Sequence, residues 1–192
     1  LENKRLAHDQ RYKVITPGFI ISHCSVIENW SYMNNKDTLD ILSDPGKNFV
    51  YSGEGYEYLA QAIEVILDKP YEEYIEERVL DPLKLTNTYL KYEHRSVPFH
   101  RTSPSNFAVG QEALGRHRTF HNTGIRPAAG NHFTAEDYAK LVLAIFDTAH
   151  LSVNRIVDII QPIARIHHSP LYYGPGFEVL RTNDDIIIAH GG

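Results

Sequence analysis

The chain has 192 residues, of which 42% are hydrophobic, and its formal net charge is -5 at pH 7. This length and apolar content can supply the core of one domain, whereas the mixed charges form no basic stripe for nucleic acid. No apolar run reaches the roughly 18 residues that a membrane-spanning helix needs. We therefore expect no nucleic-acid partner and no membrane span in this chain. The single cysteine, Cys24, cannot form an internal disulfide and is expected to be a small core residue.

The first informative segment is a tyrosine at a glycine-punctuated corner, in the sequence Val50-Tyr51-Ser52-Gly53-Glu54-Gly55. It follows a turn signal, Asp44-Pro45-Gly46-Lys47, and directly precedes a run with helical periodicity. Such a corner can hold a phenol rigidly in a cleft. The alternative for Tyr51 is a structural role, in which the ring packs and the hydroxyl bonds to a neighbour.

Three helices are predicted from apolar spacing and end signals. The first covers about 56–67, where apolar residues recur at i, i+3, i+4 and i+7. The second covers about 71–80, between two prolines and with an acidic first turn. The third begins at Thr134, whose hydroxyl can cap the amides that follow it.

The rest of the chain divides into an irregular region and a pair of strands. Residues from about 93 to 133 contain prolines, glycines and histidines without a sustained period, which is typical of loops over a cleft. Residues 176–181 and 186–190 are predicted to form two strands joined by a turn. His190-Gly191-Gly192 then lies at a strand end, where glycines allow close approach of a ligand. Taken alone, His190 is better explained as an ordinary strand histidine, and with the two glycines beside it the two interpretations are equally consistent.

Five segments, in order, resemble blocks of the beta-lactamase and penicillin-binding-protein family of serine hydrolases, especially its class C and esterase-like branch. Residues 45–56 are similar to the second active-site motif, and His190-Gly191-Gly192 is similar to the His-x-Gly form of the third motif. The other three blocks are 15–25, 81–88 and 127–139. The resemblance implies an α/β (α+β) fold, in which an antiparallel sheet is flanked by helices and accompanied by a helical subdomain.

The resemblance also implies roles for five residues. Tyr51 would be a catalytic residue that relays a proton, and His190 would be a second catalytic residue close to the tyrosine oxygen. Gly53, Gly191 and Gly192 would bind substrate. A phenol has a reference pKa of about 10, so it acts as a base only where positive charge or a shared proton assists it.

The family's nucleophile lies in a Ser-x-x-Lys box, and no serine in this chain has a lysine three residues later. In the family this box precedes the block at 15–25, so we expect it upstream of Leu1. The predicted organisation is a single, incomplete domain over residues 1–192. It has a helical wall at about 15–90, cleft loops at about 93–133, late helices at about 134–161 and strands at about 176–190. This chain alone is expected to be inactive.

The predicted function of the full-length protein is hydrolysis of an ester, amide or D-amino-acid peptide through an acyl-enzyme. Gly53 stands where the family often has Asn, and His190 replaces the lysine of the penicillin-recognising form, so hydrolysis of beta-lactams is disfavoured. The alternative is a non-catalytic module that binds a peptidoglycan fragment or a protein partner. Gly53, Val26 and Lys84, which depart from the family pattern, favour that alternative.

No cofactor and no metal are expected. His117 and His121 have the i, i+4 spacing of a helical metal clamp, but the His-Glu-x-x-His pattern is missing and nearby glycines disfavour a helix. The expected partner is a small-molecule or peptide substrate. The resemblance alone implies a periplasmic or extracellular location.

Overall fold

A computed structural model describes residues 3–30, 36–90, 110–111, 117–118 and 126–191. The α-helices are α1 (Pro17–Ile21), α2 (Gly53–Leu67), α3 (Tyr71–Ile75), α4 (Ala135–Phe146) and α5 (Val153–Ile159). The strands are β1 (Gly110–Gln111), β2 (His117–Arg118), β3 (Ala164–Arg165), β4 (Tyr172–Tyr173), β5 (Glu178–Arg181) and β6 (Ile186–Ala189). A 3-10 helix covers Gln10–Val14, and a π-helix covers Glu76–Leu80. The chain divides into two compact units, Leu1–Asp68 with Ala144–Gly192, and Lys69–Leu143.

The first unit contains a four-stranded antiparallel sheet in the order β3-β4-β5-β6. The predicted hairpin is confirmed, since β5 pairs with β6 from Glu178 opposite Ala189 to Arg181 opposite Ile186. Val179 on β5 is fully buried, which fits the alternation of buried and exposed positions along a strand. The helices and the small antiparallel sheet agree with the fold class predicted from the sequence.

Helix α2 begins three residues earlier than its apolar periodicity predicted, at Gly53 instead of position 56. The cause is Ser52, whose side-chain oxygen accepts a hydrogen bond from the Gly55 amide at 3.1 Å and so caps the helix. The Tyr56 hydroxyl donates to the Ile21 carbonyl at 2.9 Å, which fixes the start of α2 against the end of α1. The predicted helix end at Leu67 is confirmed, because Asp68 adopts the left-handed conformation there.

A separate hydrophobic core lies beside these helices in the first unit. Its buried members are Leu6, Val26, Ile27, Leu39 and Ile41. Tyr58 of α2 packs against this core, and so does Val50, the residue before Tyr51. The approach to the tyrosine corner is therefore anchored in the interior.

The second unit confirms a helical segment at 71–80, although its last five residues form a π-helix instead of an α-helix. Helix α4 starts after Thr134, whose hydroxyl accepts a hydrogen bond from the Asp137 amide at 3.2 Å as the capping prediction required. Leu80, Leu85 and Leu90 form the core of this unit. The predicted cleft loops at about 93–133 fall largely outside the described residues.

Candidate active site

The corner at Tyr51 is fixed by hydrogen bonds on both of its sides to one residue, His23. The Val50 amide donates to the His23 carbonyl at 2.8 Å, and the Ser52 amide donates to His23 Nδ1 at 3.1 Å. The imidazole also lies against the Tyr51 ring, with 4.2 Å between centroids. Tyr51 remains 46% exposed, so its ring is held from one side while part of it faces solvent. These contacts hold the corner on both sides of Tyr51, as its glycine-punctuated sequence led us to expect, and its catalytic role stays a prediction.

His23 is itself a buried and conformationally unusual residue. It follows α1, has a φ of 54° and is only 2% exposed. A left-handed φ is uncommon for residues other than glycine and persists where surrounding contacts enforce it. Because Nδ1 accepts the Ser52 amide, the neutral ring carries its proton on Nε2. Burial, and then repulsion from His190, lower the pKa of His23 to about 4.

Tyr173 connects His23 to His190. The Tyr173 ring centroid lies 4.6 Å from that of His23 and 6.4 Å from that of His190, which follows β6. Tyr173 is buried on β4, and its hydroxyl has no hydrogen-bond partner among the described residues. Burial raises the pKa of this hydroxyl, and the nearby Tyr56 and Tyr51 add to the effect. Tyr51 and His190 thus belong to one cluster through two intervening rings.

Tyr56 closes the cluster on the side of α2. Its ring centroid lies 5.2 Å from that of His23, while its hydroxyl is used in the hydrogen bond to the Ile21 carbonyl. Burial raises the pKa of Tyr56 to about 12, so the hydroxyl keeps its proton at neutral pH. We call the residues Tyr51, His23, Tyr56, Tyr173 and His190 the tyrosine–histidine cluster.

The predicted substrate-binding glycines lie in contrasting surroundings. Gly53 is buried, and its amide donates to Asn29 Oδ1 at 2.7 Å. A Cβ at Gly53 would lie 2.6 Å from the Trp30 ring, so the backbone passes directly under that indole. Gly191 is open, with no atom within 4 Å of where its Cβ would be. Gly192 lies outside the described residues, and the substrate-binding role of all three glycines stays a prediction.

One member of the cluster, Tyr173, was not singled out by sequence reasoning. From the sequence, His23 is better explained as a structural hydrogen-bonding histidine, and its bonds with the Val50 and Ser52 amides agree with that interpretation. No local signal marks Tyr173, because its contact with His23 joins positions that are 150 residues apart in the sequence.

In the part of the chain that the structure describes, no group of three or more His, Cys, Asp or Glu side chains could hold a metal ion. Of the two spaced histidines considered for a metal clamp, His117 is described only by its backbone, and His121 lies outside the described residues. None of the helices that the structure describes is both long and apolar enough to cross a membrane.

The sequence model of the beta-lactamase family matches residues 31–171 of this chain. A penicillin binding protein from Bacillus halodurans superposes with a TM-score of 0.74 at 18% identity, over 91% of this chain and 59% of that one. D-amino acid amidase from Ochrobactrum anthropi SV3 gives 0.69 at 18% identity, over 98% and 68%.

A class C beta-lactamase is similar as well, with a TM-score of 0.65 at 16% identity, over 90% of this chain and 49% of that one. The chain therefore spans less than two thirds of the penicillin binding protein and about half of the class C enzyme. No curated protein sequence matches the chain. At these identities the structural likeness concerns the fold.

Proposed function

Since this chain belongs to the beta-lactamase family, which includes serine hydrolases, we propose that its full-length protein is a serine hydrolase acting through an acyl-enzyme. The substrate is an ester, an amide or a D-amino-acid peptide. Tyr51 relays the proton of the nucleophile, and His190 supplies positive charge near it. The observation that carries this proposal is the tyrosine–histidine cluster, in which His23 and Tyr173 join Tyr51 to His190.

The electrostatics of the cluster support a division of labour between its two histidines. A phenol becomes a useful base only where its negative form is stabilised. His23 cannot supply that charge near neutrality, because its pKa lies at about 4. In this proposal His190, the third-motif residue that follows β6, is therefore the histidine placed near the phenolate. His23 instead fixes the Tyr51 corner through its carbonyl and Nδ1.

The serines nearest to the cluster are poor candidates for the nucleophile. The Ser22 hydroxyl donates to the Gly18 carbonyl, and the Ser52 hydroxyl caps α2 and donates to the Glu28 carbonyl. Ser25 is buried as completely as these two. A nucleophile must be accessible and within reach of its base. Our proposal therefore assigns the nucleophile to a Ser-x-x-Lys segment of the full-length protein outside residues 1–192.

The test is labelling of the full-length protein with a fluorophosphonate probe, followed by peptide mapping. We expect one labelled serine, in a Ser-x-x-Lys sequence, and loss of the label when that serine becomes Ala. The isolated 192-residue chain should stay unlabelled and should not hydrolyse p-nitrophenyl esters or D-Ala-D-Ala peptides. A stoichiometric adduct on Ser22, Ser25 or Ser52 would overturn the assignment of the nucleophile.

The packing of Gly53 favours a second candidate, a non-catalytic module that binds a peptidoglycan fragment or a protein partner. Family members often carry an Asn at this position to hold the substrate carbonyl, but here a Cβ would lie 2.6 Å from the Trp30 ring, which would have to move. A full-length protein that binds muropeptides yet contains no probe-reactive serine would establish this candidate. A mapped acyl-serine would exclude it.

A further inference from the structure

A concave site lies in the first unit, next to the tyrosine–histidine cluster but lined by other residues. It is a pocket of about 500 Å³ between the segments 46–49 and 163–167. The lining residues that matter below are Cys24, Lys47, Asn48, Phe49, Arg165 and His167. This volume lies in the range of pockets for small molecules, about 300–1,000 Å³. We call it the Arg165 pocket.

Phe49 separates the Arg165 pocket from the tyrosine–histidine cluster. The Phe49 ring lies edge-on to His167, with 5.9 Å between centroids, and it also contacts the rings of His23 and Tyr173. None of the five cluster residues lines the pocket as the structure describes it. A ligand in the Arg165 pocket would therefore meet different side chains from a substrate at Tyr51.

The rim of the pocket is built in a fixed geometry. Gly46 has a φ of 85°, and its amide donates to the Cys24 carbonyl at 2.8 Å. A Cβ at Gly46 would lie 2.6 Å from the Phe19 ring, so this position accepts glycine alone. On the opposite segment His167 also has a left-handed φ, of 47°. A left-handed φ at a residue with a Cβ, as at His167, persists where the surrounding contacts impose it.

The charge of the pocket is positive. The Arg165 Nε donates to the Ser169 carbonyl at 3.1 Å, which fixes the plane of the guanidinium. Its terminal N–H groups have no hydrogen-bond or ion-pair partner among the described residues, and a planar fork of this kind matches a carboxylate. Lys47 pairs with Asp44 at 2.9 Å, but both side chains are mostly exposed. Such a solvated pair contributes little and can exchange for a bound anion.

The pocket also offers an apolar wall. Phe49 and Ile163 line it, together with the buried Cys24. One class of ligand matches the terminal N–H groups of Arg165, the nearby Lys47 ammonium and the Phe49 ring. We infer that the Arg165 pocket binds a small carboxylate that carries one apolar group, with the carboxylate on Arg165 and the apolar group against Phe49. This inference does not depend on the proposed hydrolase function.

Phenylacetate is a suitable probe, because it combines one carboxylate with one ring. Amide resonances in ¹⁵N–¹H spectra of the full 192-residue chain are followed during titration. We expect saturable shifts at Asn48, Phe49 and residues 164–167. Phenylacetamide, which lacks the charge, and acetate, which lacks the ring, should bind clearly more weakly. Equal shifts with phenylacetamide or with acetate, or no saturable shift at these residues, would overturn the inference.

The variant Arg165→Gln removes the fork at an exposed position and should weaken phenylacetate binding by about three- to tenfold, as expected for a partly solvated charged hydrogen bond. The matched control is Arg155→Gln, which removes an arginine elsewhere in the same unit that is also exposed and leaves binding unchanged. Lys47→Gln is a second test and should weaken phenylacetate binding by about two- to threefold. Identical affinities for the Arg165 and Arg155 variants would contradict the inference, as would unchanged binding by the Lys47 variant.

Discussion

Two buried sites, one in each compact unit, differ in how their polar groups are satisfied. In the second unit, the fully buried Asp137 carboxylate accepts hydrogen bonds from the Asn87 amide at 2.7 Å, the Thr88 hydroxyl at 3.1 Å and Lys140 Nζ at 3.3 Å. Burial alone would raise the pKa of Asp137, but these bonds outweigh burial and lower it. In the first unit, Tyr173 keeps a buried hydroxyl without a described partner, and His23 has a left-handed φ.

This difference separates stabilising polar groups from groups suited to a site. Buried polar groups in native proteins are nearly all hydrogen-bonded, so a satisfied carboxylate such as Asp137 is expected to hold the fold. Strained backbone, depressed pKa values and unpartnered hydroxyls cost stability, and they concentrate where a protein binds or reacts. The comparison therefore predicts that changes in the tyrosine–histidine cluster alter activity, whereas changes around Asp137 alter stability.

The largest expected effect is on the rate, through Tyr51→Phe in the full-length protein. If Tyr51 transfers the nucleophile's proton, its loss should slow acylation by roughly 10²- to 10⁴-fold. Stability should change little, because Phe keeps the ring that lies against His23. The matched control is Tyr172→Phe, at the exposed position of β4. Pre-steady-state labelling with a chromogenic ester measures both rates, and unaltered acylation in the Tyr51 variant would make this tyrosine a packing residue.

Next in size is the stability loss from Asp137→Ala. The change leaves the Asn87 amide and the Thr88 hydroxyl without their acceptor in a buried place, which should cost about 2–4 kcal/mol. The neighbouring variant Glu136→Ala removes a side chain that is 77% exposed, and its cost should stay within about 0.5 kcal/mol. Urea unfolding followed by circular dichroism compares the two. Equal costs would remove Asp137 from the role of a structural anchor.

A third test uses pH, because His23 is held neutral in the folded chain. Its pKa falls from 6.5 to about 4 on folding, so between these values the unfolded chain binds more protons and stability decreases as the pH falls. Above pH 6.5 the titration of His23 does not lower the free energy of unfolding. By pH 4 it lowers that free energy by up to about 3 kcal/mol, since each pKa unit corresponds to about 1.36 kcal/mol. His190 and the rings of Phe49, Tyr51, Tyr56 and Tyr173 face His23.

The variant His23→Asn removes this titration, and its Oδ1 takes the place of Nδ1, where it can accept the Ser52 amide. We expect its stability to vary less between pH 6.5 and 4 than that of the unchanged chain. His168→Asn, at an exposed position in the same unit, should leave the pH dependence as it is. Direct NMR titration of the His23 ring gives an independent measurement. A midpoint near 6.5 would show that the cluster does not hold this imidazole neutral.

Local signals in the sequence predicted the family and the main helices and hairpin. The features that they did not predict depend on hydrogen-bond pattern or on long-range contacts. The beta-lactamase resemblance is confirmed by the family match, and apolar period and capping located α2, α4 and the β5–β6 hairpin. The π-helix at Glu76–Leu80 was not predicted, because apolar spacing marks a helix without fixing its hydrogen-bond pattern. The burial of Asp137 was not predicted either, since its carboxylate accepts a hydrogen bond from the Asn87 amide, 50 positions earlier in the chain.

The candidate site divides along the same line. Glycine punctuation pointed to the rigid corner at Tyr51, which requires only neighbouring residues. Tyr173 and the buried state of His23 depend on how β4 packs against the corner, and no spacing in the sequence encodes that packing. The catalytic assignment of Tyr51 and His190 stays a prediction.

The smallest expected effect concerns Gly53, the buried end of the tyrosine corner. In Gly53→Ala the new Cβ would lie 2.6 Å from the Trp30 ring, which must move, so we expect a loss of about 1–3 kcal/mol. Gly18→Ala is the control, because its nearest contact would be an ordinary 3.7 Å to Thr16 Oγ1. That variant should be neutral or stabilised by up to about 1 kcal/mol.

Thermal unfolding of the two alanine variants, with Trp30 fluorescence recorded alongside, measures both the cost and the movement of the indole. A shift of the emission spectrum in Gly53→Ala alone would place the strain at the ring. If Gly53→Ala is as stable as Gly18→Ala and leaves the emission unchanged, the indole does not restrict this position. Packing would then not exclude an Asn side chain from the second motif, and the absence of Asn would cease to favour a non-catalytic module.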